Sequence, residues 1–136
     1  MITWAPTETQ KTIYSHLIGD ATLMAMIQGV FDHVPDNQGF PFVTLQIKPW
    51  SDRGNESWEG LEATITIHVW YRNPGTGDLE VQGIQKRIDE LLHDVHICID
   101  GWNIISFRRS TIDILIDPDN VTLHGVQVFN LMIGEV

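Results

Sequence analysis

The feature that most constrains this chain is a change of hydrophobic period between residues 61 and 95. Residues 61–72 alternate apolar and polar side chains, the pattern of a strand with one buried face. Residues 78–95 carry apolar side chains at helical spacing, with charges between them. The apolar positions of the strand are Leu61, Ala63, Ile65, Ile67, Val69 and Tyr71, and those of the helix are Val81, Ile84, Ile88, Leu91, Leu92 and Val95. Because each element has one apolar side, we predict that the helix packs across one face of a sheet.

The residues before this unit predict two short helices and a strand. Residues 7–18 have helical spacing and end at Gly19. Asp20 is placed to cap a second short helix, which we expect to stop at Gly29. A first strand is predicted over residues 40–47.

The residues after the unit predict a hairpin. Residues 104–116 are extended, but the apolar positions change from odd to even, so we expect a bulge near Arg109-Ser110. Asp117-Pro118-Asp119-Asn120 is a strong turn sequence, and residues 121–133 form the closing strand. Asn73-Pro74-Gly75 is predicted to end the strand 61–72 in the same way, with a turn.

Together these elements predict an α+β fold of one domain, residues 1–136. The sheet is expected to be mixed or mostly antiparallel, with about four strands. One long amphipathic helix lies across a face, preceded by short N-terminal helices.

A polar stretch at residues 49–60 is predicted to be a loop between two strands, and it is long for a hairpin connection. It contains two of the five tryptophans, Trp50 and Trp58. Tryptophan is enriched among the residues that anchor protein interfaces, so the loop is a candidate intersubunit contact. The alternative is that both rings fold back and cover the chain's own sheet.

Charge narrows the range of partners. The chain of 136 residues has a formal net charge of −10 and only eight lysines and arginines. Binding to nucleic acid or to an anionic membrane surface needs concentrated positive charge, so neither is expected as the main role. The single cysteine, Cys98, excludes an internal disulfide framework. No signal peptide and no apolar run long enough to span a bilayer is recognisable.

The best candidate metal ligands are His93, His96 and Cys98, whose side chains suit zinc. No fourth ligand is evident, and a histidine in the last turn of a helix is also favoured by the helix dipole. Asp113, Asp117 and Asp119 lack the glycine and the glutamate of a calcium loop and indicate a turn instead. We therefore predict no metal site.

Catalytic signatures are missing from the sequence. It contains no nucleophile elbow and no glycine-rich phosphate loop. His68 and His124 lie on predicted strands and are interpreted as structural histidines rather than catalytic bases. We predict no catalytic residue, no cofactor and no enzymatic activity.

The order and spacing of several motifs resemble a known family almost from end to end. The motifs are Asp20-x-x-Leu23-x-x-Met26-Ile27-x-Gly29-Val30, Pro41-Phe42-Val43, Val69-Trp70-Tyr71-Arg72 leading by Gly75 into the amphipathic helix, Leu91-Leu92-His93-Asp94, Asp117-Pro118-Asp119, and His124-Gly125-Val126. This pattern is similar to the tail-completion proteins of tailed phages, also called tail-to-head joining or tail terminator proteins. Such proteins also occur in prophages and gene transfer agents.

The resemblance implies a structural virion protein that forms a hexameric ring on the head-proximal end of the tail tube. Such a ring stops tube polymerisation and contacts the head connector or adaptor. An acidic lumen would let DNA pass without binding. Two alternatives stay open: another component of the head–tail neck, with a different ring stoichiometry, and a small α+β enzyme or ligand-binding domain with an enclosed pocket.

Overall fold

A five-stranded mixed sheet organises the chain in this computed structural model, which describes residues 3–73 and 77–136. The elements in chain order are α1 (Ala5–Ile18), α2 (Ala21–Met24), β1 (Val30–Phe31), β2 (Phe42–Asp52), β3 (Gly60–Arg72), α3 (Asp78–Leu92), β4 (Trp102–Ile116) and β5 (Thr122–Glu135). The strand order is β1-β2-β3-β5-β4. β1 pairs with β2 in parallel, and every other pair is antiparallel. The predicted α+β class and mixed sheet are confirmed.

The core lies between the helices and one face of the sheet. On β3 the odd-numbered side chains from Ala63 to Val69 are buried, as the alternation predicted. The buried stripe of α3, which includes Val81, Ile84 and Ile88, packs into the same cluster as these residues. Helix α1 adds Ile13 and Leu17 to that cluster. The opposite face of the sheet, which carries the even-numbered side chains of β3, is left without a helix in the part of the chain that the structure describes.

Two expectations about the elements need correction. The sheet has five strands rather than about four, because Val30–Phe31 adds a two-residue strand beside β2. Two residues are too short to show any period, so the sequence pattern could not reveal this strand. Helix α1 has 14 residues and α3 has 15, so the N-terminal helix is not short compared with the central one.

The helix ends also differ from the prediction. α2 stops at Met24 instead of continuing towards Gly29. α3 stops at Leu92 instead of Val95, because His93 takes an extended conformation and Asp94 has a positive φ of 56°. Helix boundaries are the part of a sequence-based assignment that local pattern defines least.

Asp20 caps α2 as predicted and also joins it to α3. Its carboxylate accepts a hydrogen bond from the backbone N–H of Leu23 at 2.8 Å. The guanidinium of Arg87 donates to both carboxylate oxygens, at 2.6 and 2.9 Å. The hydrogen bond from Arg87, followed by the one from Leu23, lowers the pKa of Asp20 to about 2. One acidic residue therefore both starts a helix and fixes its position against another.

The predicted bulge in β4 is confirmed, since the register shifts between Arg109 and Thr111. A second shift, between Ile104 and Ser106, was not predicted. The turn between β4 and β5 is also confirmed, with Asn120 at a φ of 58° and the Asp119 carboxylate accepting from the N–H of Thr122. The turn predicted at Asn73-Pro74-Gly75 lies partly outside the described residues, which omit 74–76. None of the described helices is long and apolar enough to cross a membrane.

Candidate assembly surfaces

The stretch 49–60 is partly strand, so the loop within it is shorter than the sequence predicted. β2 continues to Asp52 and β3 begins at Gly60, so only the tip, residues 53–59, lies outside the two strands. A register shift between Ile47 and Trp50 makes this possible, because it accommodates Lys48 and Pro49 without ending the strand. The result is a long β-hairpin that reaches the end of the sheet.

Trp58 in the hairpin tip folds back onto the chain's own sheet. Its half-buried ring lies over two glycines: a Cβ added to Gly134 would be 2.1 Å from the Trp58 ring, and one added to Gly60 would be 2.5 Å from it. Backbone hydrogen bonds hold the tip there, since Glu135 N–H donates to the Glu59 carbonyl at 2.9 Å. The Glu59 N–H in turn donates to the Glu135 carboxylate at 2.8 Å.

Trp50 is half-buried and packs against the core, with Ala63 as its cross-strand partner. The isolated subunit therefore gives both tryptophans contacts within their own chain. Whether their exposed portions also touch a neighbouring subunit stays a prediction. The sequence showed the glycines, but no local pattern connects Gly134 to a ring 76 residues earlier.

The open face of the sheet carries a stack of aromatic rings that the sequence did not reveal. The Trp70 ring lies 3.9 Å from that of His124, with an angle of 11° between the planes. His68 stacks on His124 at 4.7 Å, and Phe42 on Trp70 at 6.3 Å. All four side chains occupy even positions of three strands, but the pairing register that brings them together is not a local property.

The two histidines in this stack share a hydrogen bond, with Nδ1 of His68 2.5 Å from Nε2 of His124. Burial lowers the pKa of His68, and the neighbouring His124 lowers it further. Burial also lowers the pKa of His124, although Asp117 acts in the opposite direction. The structural role predicted for both residues fits this arrangement, in which the neutral imidazoles are favoured.

We expect this pair to make the subunit less stable in mild acid. Each folded-state pKa lies below the ordinary value of 6.5, so the unfolded chain binds protons first as the pH falls below that value. Thermal unfolding midpoints should therefore decrease between about pH 7.5 and pH 5.5. The carboxylates with strongly lowered pKa values, Asp20 and Asp119 at about 2, titrate below this window.

The matched variant for this prediction is His68→Gln combined with His124→Gln, which removes both titrating groups and keeps polar side chains. Its midpoint should change clearly less over the same pH range. An equal decrease in the variant and the wild type would show that other groups cause the effect.

The candidate metal ligands are not brought together. His93 Nδ1 accepts a hydrogen bond from the backbone N–H of Arg109 at 3.0 Å, and Cys98 is exposed. Within residues 3–73 and 77–136 there is no group of three or more His, Cys, Asp or Glu side chains that could hold a metal ion.

A surface recess of about 430 Å³ lies beside β1, at one edge of the sheet. We call it the lateral recess. It is lined by α1 side chains and by residues of the first two strands: Gln10, Lys11, Tyr14, Val30, Phe31 and Leu45. Thr7 and Asp32 complete the lining, so the recess offers apolar contact together with a few polar groups.

The fold and these surfaces define a class: a small α+β domain that has a free sheet edge, an open sheet face and a recess beside the other edge. The model of the family Tail completion protein gp17 matches residues 11–134, which is nearly the whole chain. The chain therefore belongs to the gp17 family of tail completion proteins, which are structural proteins of bacteriophages. The predicted resemblance is confirmed.

Individual proteins are similar to the chain in sequence or in fold. Tail completion protein gp17 of Bacillus phage SPP1 is 26% identical over 127 residues, which cover 92% of each chain. The solved structure of bacteriophage SPP1 gp17 superposes with a TM-score of 0.61 at 24% identity, covering 96% of this chain and 94% of that one. A chain in the virion of a native gene transfer agent particle superposes with a TM-score of 0.86 at 16% identity, covering 96% and 97%.

Proposed function

We propose that this chain is a tail terminator: a homo-oligomeric ring at the head-proximal end of a phage-type tail tube. The observation that carries the proposal is the family match over residues 11–134, which includes every strand of the sheet except the last residue of β5. The fold shared with a chain of a gene transfer agent virion supports a place within a virion. We further propose that residues 1–136 act as one assembly unit and that assembly takes place in the host cytoplasm.

The physical need for such a ring follows from how tubes grow. Rings that stack head to tail expose the same accepting surface after every addition, so the interface has no intrinsic end point. A terminator must match the tube protein on one face and present a different surface on the other, for the head connector or adaptor. A closed ring of identical subunits meets both conditions, and the family resemblance implies six of them.

The charge of the subunit suits a ring through which DNA passes. All five arginines form ion pairs with carboxylates: Arg53 with Glu62, Arg72 with Asp119, Arg87 with Asp20, Arg108 with Asp94 and Arg109 with Asp89. Few positive groups are left for phosphate contacts, while the net charge is −10. We propose that DNA crosses the ring without specific binding.

The hairpin end with Trp50 and Trp58 is proposed as a contact for a neighbouring subunit. It lies at the end of the sheet between β2 and β3, and both rings are only half-buried by their own chain. Partly exposed tryptophans are common anchors of protein interfaces.

The test of the proposed function is deletion of the gene from its phage, prophage or gene transfer agent. We expect tails of uncontrolled length that fail to join heads, visible by electron microscopy, and recovery of normal particles when the gene is supplied in trans. Tails of normal length attached to heads would refute the terminator role. Tails of normal length that stay separate from heads would favour the alternative hypothesis, in which the chain is another component of the head–tail neck.

A further inference from the structure

The outer edge of β4 is protected over only part of its length. Residues 93 and 94, which follow α3, cover the edge in the middle of the strand: the Asp94 N–H donates to the Phe107 carbonyl at 2.7 Å, and the Arg109 N–H donates to His93. Beyond the bulge this cover stops. We call residues 111–116 the distal edge. Here the only outside contact among the described side-chain hydrogen bonds is from Gln85 to the Asp113 carbonyl.

The distal edge is unusually apolar for an exposed strand. Ile112 and Leu115 are each 48% exposed and Ile116 is 65% exposed, while Asp113 is the one charged residue in the segment. Proteins usually protect edge strands with charges, prolines or covering segments, because an open edge pairs with other strands. An edge that is covered in one half and apolar in the other has the character of a docking strand.

The opposite edge of the sheet offers a matching surface. β1 pairs with only Val43 and Thr44 of β2, and the lateral recess opens beside it. The recess lies on the helix side of the sheet, since side chains of α1 form one of its walls. Ile112 of the distal edge is on the helix side as well, because it lines a groove with Gln82 and Lys86 of α3.

The two surfaces also lie at the same height along the strands. One cross-strand row runs from Leu45 of the recess through Ile67 and Gln127 to Ile112 of the distal edge. A second row on the same face lies two positions away along each strand. It joins Val30 of the recess to Ile114 and passes through Val43, Val69 and Gly125. A rotation about an axis along the strands changes no heights, so it carries the recess of one copy to the level of the distal edge of the next.

Strand direction and charge are compatible with a contact between the distal edge of one copy of the chain and the lateral recess of another. β4 runs antiparallel to β1 and β2, so a rotated copy would extend the sheet by an antiparallel pair. Lys86, exposed beside Ile112, has no ion pair among the described residues. Asp32, which also lines the recess, is exposed on the other side of the contact.

From these observations we infer that the distal edge of one subunit docks into the lateral recess of the next copy of this chain. The contact is heterologous, because two different surfaces meet, and a heterologous contact between identical subunits closes into a ring when the rotation allows it. The inference rests on the proposed ring and names the residues that build it: Ile112 enters the recess formed by Tyr14, Phe31 and Leu45.

Two single variants and their mixture test the contact. Ile112→Glu places a charge on the distal edge and leaves the recess intact, whereas Tyr14→Glu alters the recess wall and leaves the edge intact. Both side chains are partly exposed, at 48% and 41%, so the subunit should fold normally. Each variant alone should self-associate at least about tenfold more weakly than the wild type, by sedimentation velocity over a concentration series.

Mixing the two variants gives the decisive result. The intact edge of Tyr14→Glu can dock into the intact recess of Ile112→Glu, so 1:1 dimers should form and nothing larger. The matched control is Ile105→Glu, since Ile105 is 52% exposed on the same strand but outside the distal edge, and it should assemble like the wild type.

Several outcomes would overturn the contact: normal assembly of Ile112→Glu, a mixture that stays monomeric while Ile105→Glu assembles, or a wild-type chain that never self-associates even at millimolar concentration. None of these would by itself decide the terminator role, because the deletion test reads tail length and head joining separately.

Discussion

Replacing Ile88 with Asp is expected to unfold the subunit. Ile88 is 0% exposed and lies in the stripe of α3 that faces the sheet. The change removes a large apolar side chain from the core and buries a charge with no partner, and such substitutions cost more than about 4 kcal/mol. Because small domains are stable by only about 5–15 kcal/mol, a loss of this size removes a large part or all of the free energy of unfolding, so both unfolding midpoints should fall sharply. Circular dichroism during thermal and denaturant unfolding measures this.

The same helix supplies the control. A Cβ added at Gly83 would meet no atom within 4 Å, so Gly83→Ala fills open space on the exposed side of α3. Alanine is favoured over glycine within a helix by up to about 1 kcal/mol, so this variant should melt slightly later than the wild type. An Ile88→Asp subunit with wild-type stability would show that the placement of α3 against the sheet is wrong.

Replacing Gly134 with Ala should also destabilise the subunit, through Trp58. The new Cβ would lie 2.1 Å from the Trp58 ring, so either the ring swings out and loses its burial or the strand shifts. Overpacking of this kind costs about 1–3 kcal/mol. In a Trp58→Ala background the same substitution should cost almost nothing, because the clashing ring is gone. Denaturant unfolding of the four chains in this double-mutant cycle measures the coupling between the two positions.

Assembly measurements on the tryptophan variants separate the two roles of the hairpin end. If Trp50 and Trp58 contact a neighbouring subunit, replacing both with Ala should weaken assembly more than it lowers the free energy of unfolding. A variant that assembles normally but melts early would place both rings in the subunit's own core alone. Whichever result is obtained, a double-mutant cycle that shows no coupling between Gly134→Ala and Trp58→Ala would contradict the position of the Trp58 ring over β5.

The sequence by itself determined the local structure well, because period and capping depend on neighbouring residues. The odd-numbered apolar face of β3, the cap at Asp20, the bulge after Arg109 and the turn at residues 117–120 were all predicted and are present. The order and spacing of motifs along the chain also indicated the gp17 family, which the family match confirms.

Other features followed only from the tertiary structure. The two-residue strand β1 exists because β2 offers it an edge, and the strand part of 49–60 exists because β3 pairs with it across a bulge. Both depend on partners that are distant in sequence, and neither has a period of its own to read.

The candidate surfaces belong to the same category. Trp58 meets Gly134, His68 meets His124, and Ile112 shares a row with Leu45 only after three antiparallel pairings have fixed their registers. A shift of one residue in any of those pairings would send every side chain of a strand to the opposite face. The sequence therefore specified most of the helices and strands, while pairing in three dimensions decided the remaining strand segments and the surfaces that the subunit presents.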